Sequence, residues 1–401
     1  MKFGLPQILA ARHEQFGGIV ATERPRALVH LDRALMRRLG YGPSALWDNP
    51  APSPLSAPTE VHLVLSKRCA AGCKGCYVDA TPKGEVMSLD DAKRSLDELA
   101  RLKVFHIALG GGEAMDIEYL FEVADYARTV GIIPNLTTAG LTLTEAQAER
   151  CRVFGQINVS VDGVGAAYEK ARGFDGYDRA ERALRLLRAV TRHVGINFVV
   201  SRSSYDGIDE VARLAKKLKL SELELLRFKP AGRGGGAMFD AEDLTPEQAR
   251  GIYPKALRLA LRRRLRVKLD CSFAPMVFAH NPPPALASFF GVQGCVGGDV
   301  LAAVHPDGVV TGCSFGGPPE ADGRQVGEFE AAWKTGFRAF RDYVATAPEP
   351  CASCRYLSLC RGGCRVVSAA RGQWSDPDPG CPRVQDYRAK NPPVRHSMPI
   401  V

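Results

Sequence analysis

The chain has 401 residues, of which 45% are hydrophobic, 24% are charged and 8% are aromatic. These proportions are those of a folded chain long enough for two or three domains, and they exclude a fibre or a disordered tail. The 53 basic and 44 acidic residues give a net charge of +9, which suits nucleic acid, an anionic cofactor or an acidic peptide. Charge alone therefore does not select a function class.

The sequence shows neither a secretory signal nor a membrane span. Its first residues have no sustained apolar core before Arg12 and His13. No uninterrupted apolar run approaches the roughly 18 residues that a spanning helix needs. We therefore expect a cytoplasmic protein without membrane contact. In a reducing compartment, its 12 cysteines indicate metal or redox chemistry rather than disulfides.

Residues 1–58 form a basic N-terminal segment. Two short apolar runs, at residues 18–21 and 27–31, predict a hairpin. The pattern of residues 33–39 predicts a helix. The segment ends in a proline-rich linker at 49–54, which can continue neither a helix nor a central strand. We expect the hairpin either to dock a peptide or only to pack on the domain that follows.

Residues 59–265 alternate short β-branched or apolar runs with longer amphipathic stretches. The strands are predicted at 61–66, 104–109, 132–136, 156–161, 195–200 and 223–228. The helices between and after them are predicted at 88–102, 117–130, 144–154, 177–193, 205–218 and 245–264. Six such units predict an α/β fold, an incomplete (β/α)6 barrel of the TIM type. An open doubly wound sheet is the alternative.

Residues 266–401 lose this periodicity and are rich in glycine, proline and cysteine. Eight of the 12 cysteines lie here. A segment too irregular for a large apolar core is expected to be held together by what its cysteines bind.

A first cysteine array, C-x3-C-x2-C, follows the first barrel strand. Cys69, Cys73 and Cys76 put three thiols on one short loop. Three thiolates on a four-iron cluster leave one iron open, as a catalytic cluster requires. A zinc site completed by another residue, such as His62, is the alternative. The carboxyl end of a barrel strand, where catalytic residues collect, favours the catalytic interpretation.

The array is followed, after the next strand, by Gly110-Gly111-Gly112-Glu113, and the two motifs together resemble the signature of the radical S-adenosylmethionine (SAM) enzymes. The resemblance implies that SAM chelates the open iron and that the turn of Gly111, Gly112 and Glu113 approaches the SAM amino group. It further implies SAM contacts from the polar residues Asn135, Thr137, Ser160, Asp162, Arg172 and Asn197.

One position departs from the family pattern. The residue before the third cysteine is usually aromatic or bulky in radical SAM enzymes, whereas here it is Gly75. The adenine contact expected there would come from backbone atoms or from Tyr77 instead. We also expect the cations Arg227, Lys229 and Arg233 to face SAM or an acidic peptide, with Arg227 contacting SAM.

The C-terminal cysteines resemble the SPASM domain, the extension that carries two auxiliary 4Fe-4S clusters in peptide- and protein-modifying radical SAM enzymes. The resemblance implies that Cys271, Cys295, Cys313 and Cys364 hold auxiliary cluster I and that Cys351, Cys354, Cys360 and Cys381 hold auxiliary cluster II. In some relatives one iron of cluster I has no protein ligand, and Cys271 would be the residue that fills this position here. The twelfth cysteine, Cys151, is expected to be a small buried residue.

These resemblances imply an enzyme with three 4Fe-4S clusters that cleaves SAM to a 5'-deoxyadenosyl radical. They imply oxidation or cross-linking of a side chain in a ribosomally made peptide, with a reductant such as flavodoxin or ferredoxin and without nucleic acid. A tetrapyrrole side chain or a sulfatase is the alternative substrate. A zinc-dependent nucleic-acid-binding protein is the non-enzymatic alternative, although the sequence shows no aromatic-basic stacking platform. No residue stands out as the proton acceptor.

Overall fold

The strands and helices alternate regularly through the middle of the chain and become short beyond it. The computed structural model describes residues 7–23, 26–49, 53–317, 324–325 and 327–392. The strands are β1 Ile8–Glu14, β2 Gly17–Glu23, β3 Arg26–Asp32, β4 Glu60–Ser66, β5 His106–Gly111, β6 Ile133–Thr138, β7 Ile157–Ser160, β8 Val194–Val200, β9 Glu222–Arg227, β10 Val267–Leu269, β11 Leu301–Val304, β12 Val309–Thr311 and β13 Arg324–Gln325. The helices are α1 Arg33–Arg38, α2 Leu89–Arg101, α3 Leu120–Thr129, α4 Glu145–Arg150, α5 Ala166–Arg172, α6 Tyr177–Val190, α7 Ile208–Lys217, α8 Ala237–Glu242, α9 Pro246–Arg263, α10 Ala274–Phe278, α11 Pro284–Phe289, α12 Phe329–Thr335, α13 Arg338–Arg341, α14 Tyr343–Thr346, α15 Leu357–Cys360, α16 Arg365–Arg371 and α17 Pro382–Lys390.

The central sheet is an incomplete parallel barrel. Strands β4 to β10 neighbour one another in chain order, and each adjacent pair is parallel. A doubly wound sheet would reverse its strand order at a switch point, and this sheet has no reversal between β4 and β10. The predicted α/β fold with a partial barrel is therefore confirmed.

Alternating side chains of the barrel strands pack against the outer helices. In β4, Val61, Leu63 and Leu65 join Leu96 and Leu99 of α2 in one buried core. The sequence also sets where the helices begin. Ser88 Oγ accepts a hydrogen bond from Asp91 N at 3.1 Å and caps α2, and Thr245 forms a capping box at the start of α9.

The C-terminal segment continues the barrel sheet. The short strand β10 adds to β9 in parallel, and β11 pairs in parallel with β4 on the opposite side. Strands β12 and β13 then extend the same sheet with antiparallel pairing. The cysteine-rich segment is therefore anchored directly to the first barrel strand. The division at residue 265 stays a prediction, because the sheet is continuous across it.

The N-terminal segment forms a three-stranded antiparallel sheet, not a two-stranded hairpin. The predicted strands correspond to β2 and β3, and β1 was missed. Arg12 donates to the carbonyl oxygens of Ala57 at 2.7 Å and Pro58 at 2.8 Å, and its guanidinium lies 5.0 Å from the ring of Phe105. Because Phe105 precedes β5, the small sheet packs at the amino ends of the barrel strands, opposite the cysteine loop. Residues 50–52 of the predicted linker lie outside the described ranges.

Candidate functional site

The first cysteine array lies on the loop that leaves β4. Each of its three thiols accepts one N–H hydrogen bond: Cys69 from Ala71 N at 3.4 Å, Cys76 from Ala80 N at 3.4 Å, and Cys73 from Arg172 Nη1 at 3.5 Å. Donors aimed at a sulfur stabilise its thiolate form, which is the form that ligates metal. The donor chemistry of the loop therefore fits a cluster held by three thiolates.

Arg233 fastens this loop from the far side of the barrel. Its Nε donates to the Cys73 carbonyl oxygen at 3.1 Å, and its Nη1 donates to Asp79 Oδ1 at 2.7 Å and to the Ala80 carbonyl oxygen at 2.8 Å. The expected role of Arg233 was to face SAM or an acidic peptide. In the structure its guanidinium instead joins the middle of the cysteine loop, at Cys73, to the residues that follow Cys76.

The glycine-rich turn after β5 packs directly against the cysteine loop. Gly112 N donates to Ser66 O at 2.5 Å, and Glu113 N donates to Arg68 O at 3.1 Å. A Cβ atom on Gly112 would overlap the backbone of Arg68, so only glycine allows this approach. The structure therefore brings the two sequence motifs side by side, at the carboxyl ends of β4 and β5.

The carboxylate of Glu113 is buried and is occupied by protein donors. It accepts hydrogen bonds from Thr138 Oγ1 at 2.5 Å, Ala139 N at 2.8 Å and Met115 N at 3.0 Å. Burial raises the pKa of Glu113, and these three donors oppose the rise. The side chain joins the turn to the end of β6, and its SAM contact stays a prediction.

Asp162 and Arg172 lie together beside the cysteine loop. Arg172 Nε lies 2.6 Å from Asp162 Oδ2, and Val199 N donates to Asp162 Oδ1 at 2.7 Å. Burial lowers the pKa of Arg172, but Asp162 and Cys73 together raise it above its ordinary value. Two residues predicted as SAM contacts thus form one ion pair that reaches Cys73.

The barrel interior is polar at the level of the predicted SAM contacts on β7 and β8. Ser160 of β7 lies opposite Asn197 of β8, which lies opposite Glu224 of β9. Asn158 Nδ2 donates to Asn197 Oδ1 at 2.7 Å and to Glu224 Oε2 at 3.1 Å. Barrel interiors are usually filled by Val, Ile and Leu, so this layer marks a site that can bind polar groups.

Glu224 and Asn158 were missed by the sequence analysis. Burial raises the pKa of Glu224 to about 7; Lys268 opposes this rise, and Glu222 adds to it. The signal that could have revealed both residues is a polar side chain at alternate positions of a buried strand.

The predicted SAM contacts on β6 lie at alternate positions of the strand and therefore on the same side of the sheet. Asn135 Oδ1 accepts from Gln156 N at 3.0 Å, and Thr137 is half-buried. The SAM contacts of Asn135, Thr137, Ser160 and Asn197 stay predictions.

A loop of the C-terminal segment closes over the cysteine loop. The ring centroids of Tyr77 and Phe315 are 4.8 Å apart, and Lys229 Nζ lies 4.4 Å from the Phe315 ring centroid. Lys229 also forms a buried ion pair with Asp270. Tyr77 is therefore packed on an aromatic ring, and Lys229 is paired with a carboxylate instead of facing open solvent.

His62, the fourth zinc ligand in the alternative interpretation, points to the same loop. Its Nδ1 lies 2.9 Å from Ser314 Oγ, and its Nε2 lies 3.3 Å from Glu60 Oε1. Its ring nitrogens thus face a hydroxyl and a carboxylate.

Arg227 lies between the barrel and the second cysteine region. Its side chain is 1% exposed, with Nη1 2.7 Å from Asp378 Oδ2 and Nη2 3.5 Å from Asp243 Oδ1. Cys364 N donates to the same Asp378 oxygen at 3.0 Å. The guanidinium therefore faces the C-terminal segment, and the SAM contact expected of Arg227 has no support in this arrangement.

The first C-terminal group of cysteines consists of Cys271, Cys295, Cys313 and Cys364. Burial raises the pKa of Cys313 to about 12, and Cys295 and Cys364 add to this rise. Burial likewise raises the pKa of Cys271, with contributions from Cys295 and Cys364. Cys295 and Cys364 thus each interact electrostatically with both Cys271 and Cys313, although the four residues come from distant parts of the sequence.

The second group consists of Cys351, Cys354, Cys360 and Cys381. These four residues line one recess, which is otherwise bordered mainly by apolar side chains such as Phe278 and Tyr356. Within the described ranges, no three His, Cys, Asp or Glu side chains converge on a point that could hold one metal ion. A four-iron cluster binds each thiolate at a different iron, so a set of four cysteines around one recess fits the ligand chemistry of such a group.

Cys151 lies apart from all three cysteine groups. Its side chain is fully buried in the apolar core of the barrel. Burial raises the pKa of its thiol to about 12. This location confirms the interpretation of Cys151 as a small buried residue.

Comparison with known proteins decides the family. The profile described as the radical SAM superfamily matches residues 63–215. The chain is 30% identical over 356 residues to the mycofactocin maturase MftC of Mycolicibacterium smegmatis, covering 84% of this chain and 88% of that protein. This chain belongs to the radical SAM superfamily. It is therefore a radical SAM enzyme, and this family binds SAM at a 4Fe-4S cluster.

Two further proteins are similar to this chain over most of its length. The PqqA peptide cyclase of Ruegeria pomeroyi is 28% identical, covering 82% of this chain and 89% of that protein. The crystal structure of Streptococcus suis SuiB bound to its precursor peptide SuiA superposes with a TM-score of 0.73 at 16% identity. That match covers 94% of this chain and 100% of SuiB. Among the described residues, no helix has the length and apolar character needed to cross a bilayer.

Proposed function

We propose that this enzyme reductively cleaves SAM at a 4Fe-4S cluster held by Cys69, Cys73 and Cys76 and oxidatively modifies or cross-links a side chain of a ribosomally made peptide. One observation carries the first half of the proposal. Three thiols on one loop each accept an N–H donor, and the loop lies against a glycine-rich turn at the carboxyl end of the barrel.

The SAM-bound cluster would supply a 5'-deoxyadenosyl radical, which abstracts hydrogen from an unactivated C–H bond. The chain's own residues position the groups around it. Arg233 joins Cys73 to the residues that follow Cys76, and the amide network of Asn158 and Asn197 offers donors and acceptors in the barrel interior. The loop of Ser314 and Phe315 packs over the mouth and reduces the access of water to it.

The two C-terminal cysteine groups are proposed to hold the two auxiliary 4Fe-4S clusters. Cys271, Cys295, Cys313 and Cys364 would hold cluster I, and the recess of Cys351, Cys354, Cys360 and Cys381 would hold cluster II. Forming a bond or a double bond from a substrate radical releases one proton to a nearby base or to water and one electron, for which such clusters are an acceptor. The buried cations Arg227 and Lys229 lie near Cys364, and each is paired with a carboxylate, Arg227 with Asp378 and Lys229 with Asp270. A flavodoxin or ferredoxin would supply the electron for SAM cleavage.

The peptide substrate is supported by the relatives. One similar protein is a maturase, another is a peptide cyclase, and SuiB was crystallised with its precursor peptide. The N-terminal sheet offers a place for such a peptide to dock. Within the described ranges β3 pairs only with β2, so its other edge has no strand partner there and is available to an added strand.

The proposal is tested by anaerobic incubation of the reconstituted enzyme with SAM, dithionite and the peptide encoded by the small open reading frame nearest its own gene. We expect 5'-deoxyadenosine and a peptide that has lost two hydrogen atoms, located by tandem mass spectrometry. The matched control is the Cys69→Ala/Cys73→Ala/Cys76→Ala variant, which should give neither product. Deoxyadenosine without any change in the peptide would reject the peptide substrate and keep the SAM chemistry. An iron porphyrin or a sulfatase peptide would then be tested with the same preparation.

A further inference from the structure

Cys73 differs from the other two cysteines of its loop in the donor that reaches its sulfur. Cys69 and Cys76 each accept from a backbone N–H, whereas Cys73 accepts from the Arg172 guanidinium at 3.5 Å. Hydrogen bonds from a charged donor are stronger than those from a neutral one. The three sulfurs are therefore not equivalent.

Arg172 is held in place from several directions. Its side chain is 13% exposed, and its Nε lies 2.6 Å from Asp162 Oδ2. Asp162 is itself fixed by Val199 N, at 2.7 Å, and the Arg172 carbonyl oxygen accepts from Lys74 N at 3.1 Å. The end of α5 is thus joined to the cysteine loop by both main chain and side chain. The Arg172 guanidinium is therefore fixed in position before any ligand binds.

We propose that Arg172 is a positioning residue of the cysteine loop that sets the reduction potential of the cluster ligated by Cys73, with Asp162 as its counter-ion. This inference rests on the proposed ligation of that cluster by Cys69, Cys73 and Cys76. It assigns both residues a role toward the cluster, in place of the direct SAM contacts that the sequence resemblance implied. Hydrogen bonds to the sulfurs and the net charge nearby are the terms that set such potentials.

Arg172 and Asp162 contribute to the reduction potential of the cluster with opposite signs. A fixed cation beside Cys73 stabilises the reduced cluster, which carries one more negative charge, and so raises its potential. The Asp162 carboxylate, on the far side of the guanidinium, lowers it. The potential should therefore shift in one direction when the cation is removed and in the other when the carboxylate is removed. If the substitutions only made the cysteine loop less rigid, the potential of both variants would shift in the same direction.

The experiment is a redox titration of the reconstituted full chain in the absence of SAM, followed by electron paramagnetic resonance. The loop cluster is the one whose signal changes when SAM is added to a parallel sample. Arg172→Gln should shift its midpoint potential to a more negative value, and Arg172→Lys, which keeps the charge, should shift it less. Asp162→Asn should shift it to a less negative value, because the amide oxygen can still accept from Arg172. The matched control is Arg179→Gln, an exposed arginine on the next helix, which should leave the potential unchanged.

The proposal is overturned if Arg172→Gln keeps its iron and its SAM-free potential, even where it weakens SAM binding. If that variant also binds SAM more weakly, Arg172 contacts SAM instead. A shift of the same sign in Arg172→Gln and Asp162→Asn would also overturn it. If Arg172→Gln does not retain iron, the midpoint potentials of Arg172→Lys and Asp162→Asn are compared instead. A potential of Asp162→Asn that is not less negative than those of Arg172→Lys and the wild type would then overturn the proposal. A wild-type protein with no cluster that responds to SAM would reject the proposed function itself, and this inference with it.

Discussion

Gly75 and Phe228 occupy complementary space at the mouth of the barrel. A Cβ atom on Gly75 would lie 2.6 Å from Cε2 of Phe228, whose ring is buried and stacks on Phe239 with centroids 6.3 Å apart. The aromatic side chain usual at this point of the cysteine array is absent, and a ring from the residue after β9 fills the space. The departure from the family pattern thus has a steric cause.

Exchanging the large and the small side chain between positions 75 and 228 tests this relationship. Gly75→Phe alone should disturb the cysteine loop, because two rings cannot share the space, and Phe228→Ala alone should destabilise the fold by about 3–5 kcal/mol through the cavity it leaves. The double variant should recover a large part of both losses. Urea unfolding and iron content measure the outcome. Gly42→Ala is the control, since its Cβ would meet open space and it lies outside the cysteine loop and the glycine-rich turn. Additive losses in the double variant would show that the two residues are not a complementary pair.

The buried ion pair between Arg227 and Asp378 joins the end of β9 to the C-terminal cysteine region. Arg227→Met should lower the free energy of unfolding by about 3–5 kcal/mol, because Asp378 is left buried with an uncompensated charge. The matched control is Arg250→Met, which removes a pair of similar length whose side chains are 46% and 58% exposed. That variant should lose less than about 1 kcal/mol. Equal losses in urea unfolding would contradict the burial argument.

Glu224 predicts a specific dependence of stability on pH. Its pKa of about 7 in the folded chain lies above the ordinary glutamate value, so the folded state keeps a proton that the unfolded state has already lost. Stability should therefore fall as pH rises from about 4.5 to about 7 and change little above that.

Glu224→Gln removes this penalty and keeps an acceptor for Asn158. At pH 8 the variant should be more stable than the wild type by up to about 3 kcal/mol, and near pH 4.5 the two should be alike. Thermal and urea unfolding at both pH values measure the difference. Glu118→Gln, at an exposed position, should give a difference that does not vary with pH. A pH-independent difference for Glu224→Gln would refute the prediction.

The open edge of β3 predicts a binding effect that is separate from the chemistry. Val29 is 39% exposed on this strand, and Val29→Glu should weaken binding of the precursor peptide severalfold while leaving iron content unchanged. Fluorescence anisotropy of a labelled peptide measures the affinity. Leu261→Glu, at a 70% exposed position on α9, should leave the affinity unchanged. Equal affinities for wild type and Val29→Glu would argue that the sheet only packs on the barrel.

The barrel was predictable because its signals are local. Alternation of apolar residues and capping residues such as Ser88 and Thr245 mark strands and helix starts within a few positions. The edge strand β1 was missed because its outer residues are exposed and show little alternation. The ion pairs of the cations near the mouth were not predictable from the sequence for a different reason. Their partners lie far along the chain, as Asp378 lies 151 positions from Arg227, and no local pattern indicates such a pairing.

The central claim, that Cys69, Cys73 and Cys76 hold a SAM-cleaving cluster beside two auxiliary ones, is tested most directly by iron and sulfide content. Anaerobically reconstituted wild type is compared with Cys69→Ala/Cys73→Ala/Cys76→Ala, and dithionite-driven SAM cleavage is assayed on both. We predict about twelve irons per chain in the wild type, about eight in the variant, and deoxyadenosine from the wild type alone. Zinc in place of iron, or SAM cleavage that survives in the variant, would contradict the claim.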